Sequence, residues 1–150
     1  MAVSGENSCA FYASDYHLEM IMLPYINTNL QNDKKIYVFT QNNLENTMRI
    51  LLDRVNIDKN IKEKVLDINW KIDDENKYND LILNEKNTKE SVVFVKGSNE
   101  YIEKVNKNLR QFNGRMKLDI IDCYNIDDVG NNAVDIVKCH KKVLSTNVIK

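Results

Sequence analysis

Residues 8–26 read SCAFYASDYHLEMIMLPYI, and the fold turns on this stretch. Residues 9–12 are a short apolar run. A polar break follows, and from Leu18 apolar side chains recur at Ile21, Met22, Tyr25, Ile26 and Leu30. The first pattern is that of a buried strand, the second a helical stripe. Ser14 or Asp15 is placed to cap the first turn of that helix. Pro24 falls inside the stripe, which predicts a kink or an opened turn there. Strand, polar corner and helix together form the repeating unit of an α/β sheet, and in many such proteins the corner grips a phosphate.

The rest of the chain repeats the alternation. KIYVFT (35–40), SVVFVKG (91–97) and LDIIDCY (118–124) join CAFYA (9–13) as continuous apolar runs rich in β-branched and aromatic residues. Continuous rather than alternating runs predict strands covered on both faces. KVLDINW (64–70) reads as a fifth strand or as the end of a helix. One helical stripe runs through Leu44, Met48, Leu51, Leu52 and Val55, with Asn42 or Asn43 as cap. Another runs through Ile102, Val105, Leu109 and Phe112, capped by Ser98 and stopped near Gly114. A shorter helix is expected around residues 78–83, and a last one from Val129 through His140 to Leu144. These elements predict a three-layer αβα sandwich on a mostly parallel sheet of about five strands, Rossmann-like or akin to RecA and KaiC. With one proline and four glycines, the 150 residues offer no clean dividing point, so one domain is expected.

Composition narrows the function. Hydrophobic residues make up 43%, charged residues 29%, and the formal net charge is -1 with acids and bases interspersed. No basic stripe argues for a nucleic-acid surface. The longest apolar run, MIMLPYI, is far short of the roughly 20 residues of a membrane helix. MAVSGENS at the start lacks the basic and apolar regions of a secretory signal. Three cysteines, Cys9, Cys123 and Cys139, without a C-x-x-C pair fit a reducing, cytoplasmic setting.

The first corner is unsuited to a phosphate. A P-loop needs glycines to let backbone N–H groups curl around the anion and a lysine to supply charge. YASDYHLEM has neither, and Asp15 and Glu19 repel anions. The dinucleotide pattern G-x-G-x-x-G is also absent. Gly97, beside Lys96 and ahead of a helix, is a weak anion cue; a tight turn with a Ser98 cap explains it better. No G-x-S-x-G or histidine–nucleophile pairing marks a hydrolase. The cysteines and His140 lack the paired spacing of a zinc site, and no metal or cofactor is expected.

The segment CAFYASDYHLEMIMLPYINTNLQNDKKIYVFT resembles the opening of the MEDS domain, a sensory domain of methanogens and methylotrophs. The likeness lies in Cys9, Tyr12, Ser14, Glu19, Pro24, Tyr25, Leu30 and the KKIYVFT strand. The segment IIDCYNIDDVGNNAVDIVKCHKKVL is similar to the family's late strand and final helix, through Cys123, Tyr124 and His140. The middle departs: Ser98 follows Gly97 where the family has Glu, and Asn7 and Ser8 stand where a His is common. The resemblance implies a RecA/KaiC-like sheet without its phosphate loop and a sensory or regulatory role rather than catalysis. Output would pass through a protein partner such as a regulator, sigma factor or kinase.

Two residue groups are candidates for a binding site. At the first corner, Tyr12, Ser14, Asp15, His17 and Glu19 sit where open α/β sheets place ligands. Tyr124 and His140 are expected to join them from the last strand and helix. Aromatic walls with a few polar groups suit a small apolar or amphipathic ligand. Packing alone also accounts for these residues: Ser14 and Asp15 as helix caps, His17 facing water, His140 as a satisfied core histidine. The alternative function is a pure protein-interaction regulator docking through the first helix near Pro24 and Tyr25. Homodimerisation through a sheet edge or the last helix is compatible with either.

Overall fold

A computed structural model describes residues 6–84, 90–112 and 116–145. Five strands form one all-parallel sheet in the order β2-β3-β4-β1-β5: β1 (Asn7–Tyr12), β2 (Lys35–Thr40), β3 (Ser91–Lys96), β4 (Leu118–Asn125) and β5 (Val143–Leu144). The four runs read as strands are β1 to β4, and β3, an interior strand, is buried along its whole length. Coverage on both faces explains why their apolar residues do not alternate.

Helices cover both faces. On one side, α1 (Asp15–Gln31), α2 (Glu45–Arg54) and α3 (Lys59–Asp67) pack Leu18, Ile21, Ile26, Met48, Leu51 and Val65 against Ala10, Val38, Phe94 and Ile121. On the other, α4 (Asp74–Asn84), α5 (Asn99–Leu109), α6 (Ile126–Val129) and α7 (Ala133–Lys138) close over Cys9, Phe39, Val93, Val95 and Leu118. The architecture is therefore an αβα sandwich.

Four details refine the expectations. KVLDINW is the end of α3 and a short connection, not a strand. Trp70 turns into the core there, 1% exposed, and donates its ring N–H to the Val65 carbonyl at 2.8 Å. The last helix does not run to Leu144. Gly130, at φ +49°, stands between α6 and α7, and Val143 and Leu144 pair with Cys9 and Ala10 as β5. Helix α1 passes unbroken through Pro24, which lies on its exposed side with Met20 one turn before it. The helix from Ser98 gives way to a short 3-10 turn at Arg110–Phe112, and the stop expected at Gly114 lies outside the described residues.

Lys77 on α4 is 3% exposed. Its ammonium donates to the carbonyls of Val38, on the outer strand β2, and Lys71. Among the described residues no helix is long and apolar enough to cross a membrane.

Candidate functional site

Strand β1 lies between β4 and β5. The chain leaves β1 toward one face, into α1, and leaves β4 toward the other, into α6. The carboxyl ends of β1 and β4 thus flank the point where connections diverge, the usual place for a crevice in an open α/β sheet. The register pairs Tyr12 with Asn125 and Phe11 with Tyr124. Tyr12 therefore joins the α1 face, while Tyr124 joins the α5 face. The seven candidate residues do not form one site. They form two clusters on opposite faces of the sheet.

The first cluster is the corner after β1. Ser14 caps α1: its hydroxyl accepts the His17 N–H at 3.1 Å. His17 reaches back, and its Nδ1 accepts the Ala13 N–H at 3.0 Å. This is the reciprocal logic of a capping box with histidine as the returning acceptor. It occupies two of the amides at this corner, those of Ala13 and His17. The Gly97 corner is closed in the same way. Gln41 Oε1 accepts the Ser98 N–H at 2.7 Å, and the Ser98 hydroxyl accepts the Tyr101 N–H. A Cβ at Gly97 would meet the Tyr101 ring at 2.6 Å and Gln41 Oε1 at 2.4 Å, so a larger residue there would displace the Gln41 acceptor.

Behind this corner, Lys96 at the end of β3 is 7% exposed. It pairs with Asp15 at 3.1 Å, donates to Asn42 Oδ1 at 2.6 Å and lies 5.2 Å from the centre of the Tyr12 ring. Asn42 donates in turn to Asp15 at 2.8 Å. Glu19 is fully buried. One of its oxygens accepts the Thr47 hydroxyl at 2.6 Å, and the other has no partner among the described residues. Burial pushes the Glu19 carboxyl up to about 7, against the opposing Thr47 hydrogen bond. The first corner is thus a cross-braced polar knot joining β3, α1 and the start of α2.

The second cluster lies under α5. His140, just past α7, has both ring nitrogens facing acceptors: Nε2 is 2.8 Å from Asp122 Oδ2, and Nδ1 is 2.6 Å from the Ile136 carbonyl. Both acceptors are satisfied only when each ring nitrogen carries an N–H, so the arrangement favours the imidazolium. Burial alone would lower its pKa, but the hydrogen bonds to Asp122 and Ile136 outweigh that and raise it. The other Asp122 oxygen accepts Asn106 Nδ2 at 2.8 Å. Tyr124 stands edge-on to the imidazole, ring centres 6.1 Å apart.

These groups line a cavity of about 560 Å³ whose other walls include Ile102, Leu109, Phe112, Met116, Leu118 and Ile120. A smaller hollow of about 250 Å³ adjoins it and shares Glu103, Tyr124, Cys139 and His140. Sequence reading missed Asp122 and Asn106. The available signal was an aspartate inside the apolar run LDIIDCY, since a charge in a buried strand must be partnered.

The fold and its two clusters define a parallel α/β sandwich whose two corners are braced by side chains and whose α5 face holds a cavity of mixed apolar and polar lining. No family model matches this chain, and neither a curated protein nor a solved structure is significantly similar to it.

Proposed function

We propose that this chain is a non-catalytic sensory or regulatory domain that binds a small amphipathic ligand in the cavity beneath α5 and signals through a protein partner. The observation that carries the reading is the cavity itself. It is within the usual size range of small-ligand sites, and its walls are shared between apolar side chains and polar ones, Glu103, Asn106, Arg110, Asp122, Tyr124 and His140 among them. Side chains take up the Ala13, His17, Ser98 and Tyr101 amides at the two corners, which favours this reading over nucleotide chemistry. MEDS membership, resting on Tyr12, Glu19, Pro24, Tyr124 and His140, is part of the proposal, as are the cytoplasmic setting and a sigma-factor, kinase or other regulator as partner.

Thermal-shift screening with amphipathic molecules tests it, using wild type and Ile120→Trp, which fills the cavity. A ligand at a hundredfold its Kd adds about 2.7 kcal/mol of stability. In a chain of this length that is roughly 5–10 °C in Tm. The expected result is a shift in wild type that Ile120→Trp loses. If no molecule shifts wild type, or the variant responds equally, ligand sensing fails.

The pure interaction module is favoured by a different surface from the one expected. On the expected face around Pro24, Tyr25 is only partly exposed and packs edge-on against Phe94, ring centres 6.0 Å apart. Val134, Val137 and Val143, on α7 and β5, are 62%, 40% and 47% exposed. Recovery of one stoichiometric partner from native cells, lost on Val134→Glu, would support this second reading. Unchanged recovery by the variant would count against it.

A further inference from the structure

The polar groups around the cavity differ between its two ends, and the difference specifies a ligand class. Toward α7, Glu103 and Asp135 are both exposed at the smaller hollow, and neither carboxylate is matched to a cation among the described residues. Between the two hollows stands Tyr124. It is 8% exposed, lines both, and its hydroxyl has no hydrogen-bond partner among the described residues. Burial and the nearby Asp122 and Glu103 carboxylates push its phenol up, so it stays a neutral donor and acceptor.

The imidazolium of His140 adds no free donor, because both its N–H groups are spent on Asp122 and Ile136. The Asn106 amide group is likewise spent, on Asp122 and Ile102, which leaves its carbonyl oxygen to accept. The charge of His140 is matched by the Asp122 carboxylate at 2.8 Å, so the α7 end offers acceptors and the unmatched charge of Glu103 and Asp135. Arg110, a second cation on the rim, opens the 3-10 turn after α5, seven residues on from Glu103 and about 10 Å away along the helix axis.

Building on the proposed ligand-binding reading, we infer that the cavity takes an amphipathic amine. Its apolar body packs among Ile102, Leu109, Met116 and Ile120, and its ammonium sits between Tyr124, Glu103 and Asp135. A carboxylate head is repelled from that end and would have to reverse and use exposed Arg110. A neutral alcohol gains the Tyr124 hydrogen bond but no charge pairing.

The test uses the whole chain and three probes with the same tail: octylamine, octan-1-ol and octanoate, each below its micellar range. Affinities come from titration calorimetry, and location from methyl NMR shifts of Met116 and Ile120. Octylamine is expected to bind at least tenfold tighter than the other two, shifting both methyl signals. Glu103→Gln combined with Asp135→Asn, two exposed substitutions that leave the core untouched, is expected to erase most of that preference. Octanoate binding as tightly as octylamine, or the double variant keeping the preference, overturns the amine while leaving ligand binding intact. If none of the three probes moves the Met116 and Ile120 signals, the amine and the cavity's sensory role fall together.

Discussion

Glu19 and His140 both tie folding to pH, and in the same direction. Glu19 titrates near 4.5 when exposed and near 7 when folded. The folded state keeps a proton that the unfolded chain gives up, so stability falls as pH rises from about 4.5 to 7 and then levels off. At 1.36 kcal/mol per pH unit, the full loss is roughly 3 kcal/mol. The folded His140 pKa is also raised, so its contribution is whole below about 6.5 and is lost as pH climbs through the folded value. Urea titrations at several pH values are expected to show greater stability at pH 5 than at pH 8. Glu19→Gln should flatten the acidic limb and gain roughly 1–3 kcal/mol at pH 8. A Glu19→Gln profile parallel to that of wild type would show that the carboxyl is ionised in the fold.

At the scale of elements, the strands were legible because burial on both faces writes an unbroken apolar run. Val143 and Leu144 were not. Two residues carry no period, and they continue the 3.6-residue stripe of the helix before them. The caps at Ser14 and Ser98 were readable from residue type and position. The merging of Tyr12 with Tyr124 into one site was not correct, and the reason is register. Side chains alternate across a strand, so a pairing offset by one residue sends two neighbouring tyrosines to opposite faces. Helix α1 also tolerates Pro24 better than the sequence suggests, because the residue lies on the exposed side. Pro24→Ala is expected to stabilise the chain by about 1–3 kcal/mol, since it restores a hydrogen-bond donor and removes the clash with the preceding turn. A denaturant midpoint unchanged or lowered in that variant would mean that α1 is shaped around its proline.

Over the whole molecule, the sheet ends in two outer strands of different kinds. Strand β5 is two residues long, too short a template for another chain. Strand β2 has six residues, five of them buried apolar or hydroxyl-bearing side chains. Lys77 answers the carbonyl of Val38 there, and burial lowers its ammonium to about 8. Lys77→Ala removes a charged donor from two carbonyls, a loss of about 1–3 kcal/mol.

The larger effect of that substitution would be colloidal. A bare Val38 carbonyl on a six-residue border invites a second molecule to extend the ladder, and such growth has no natural end. Light scattering of Lys77→Ala at rising protein concentration should reveal particles that wild type does not form. Scattering no greater than wild type would relieve this single ammonium of its part in keeping neighbouring molecules apart.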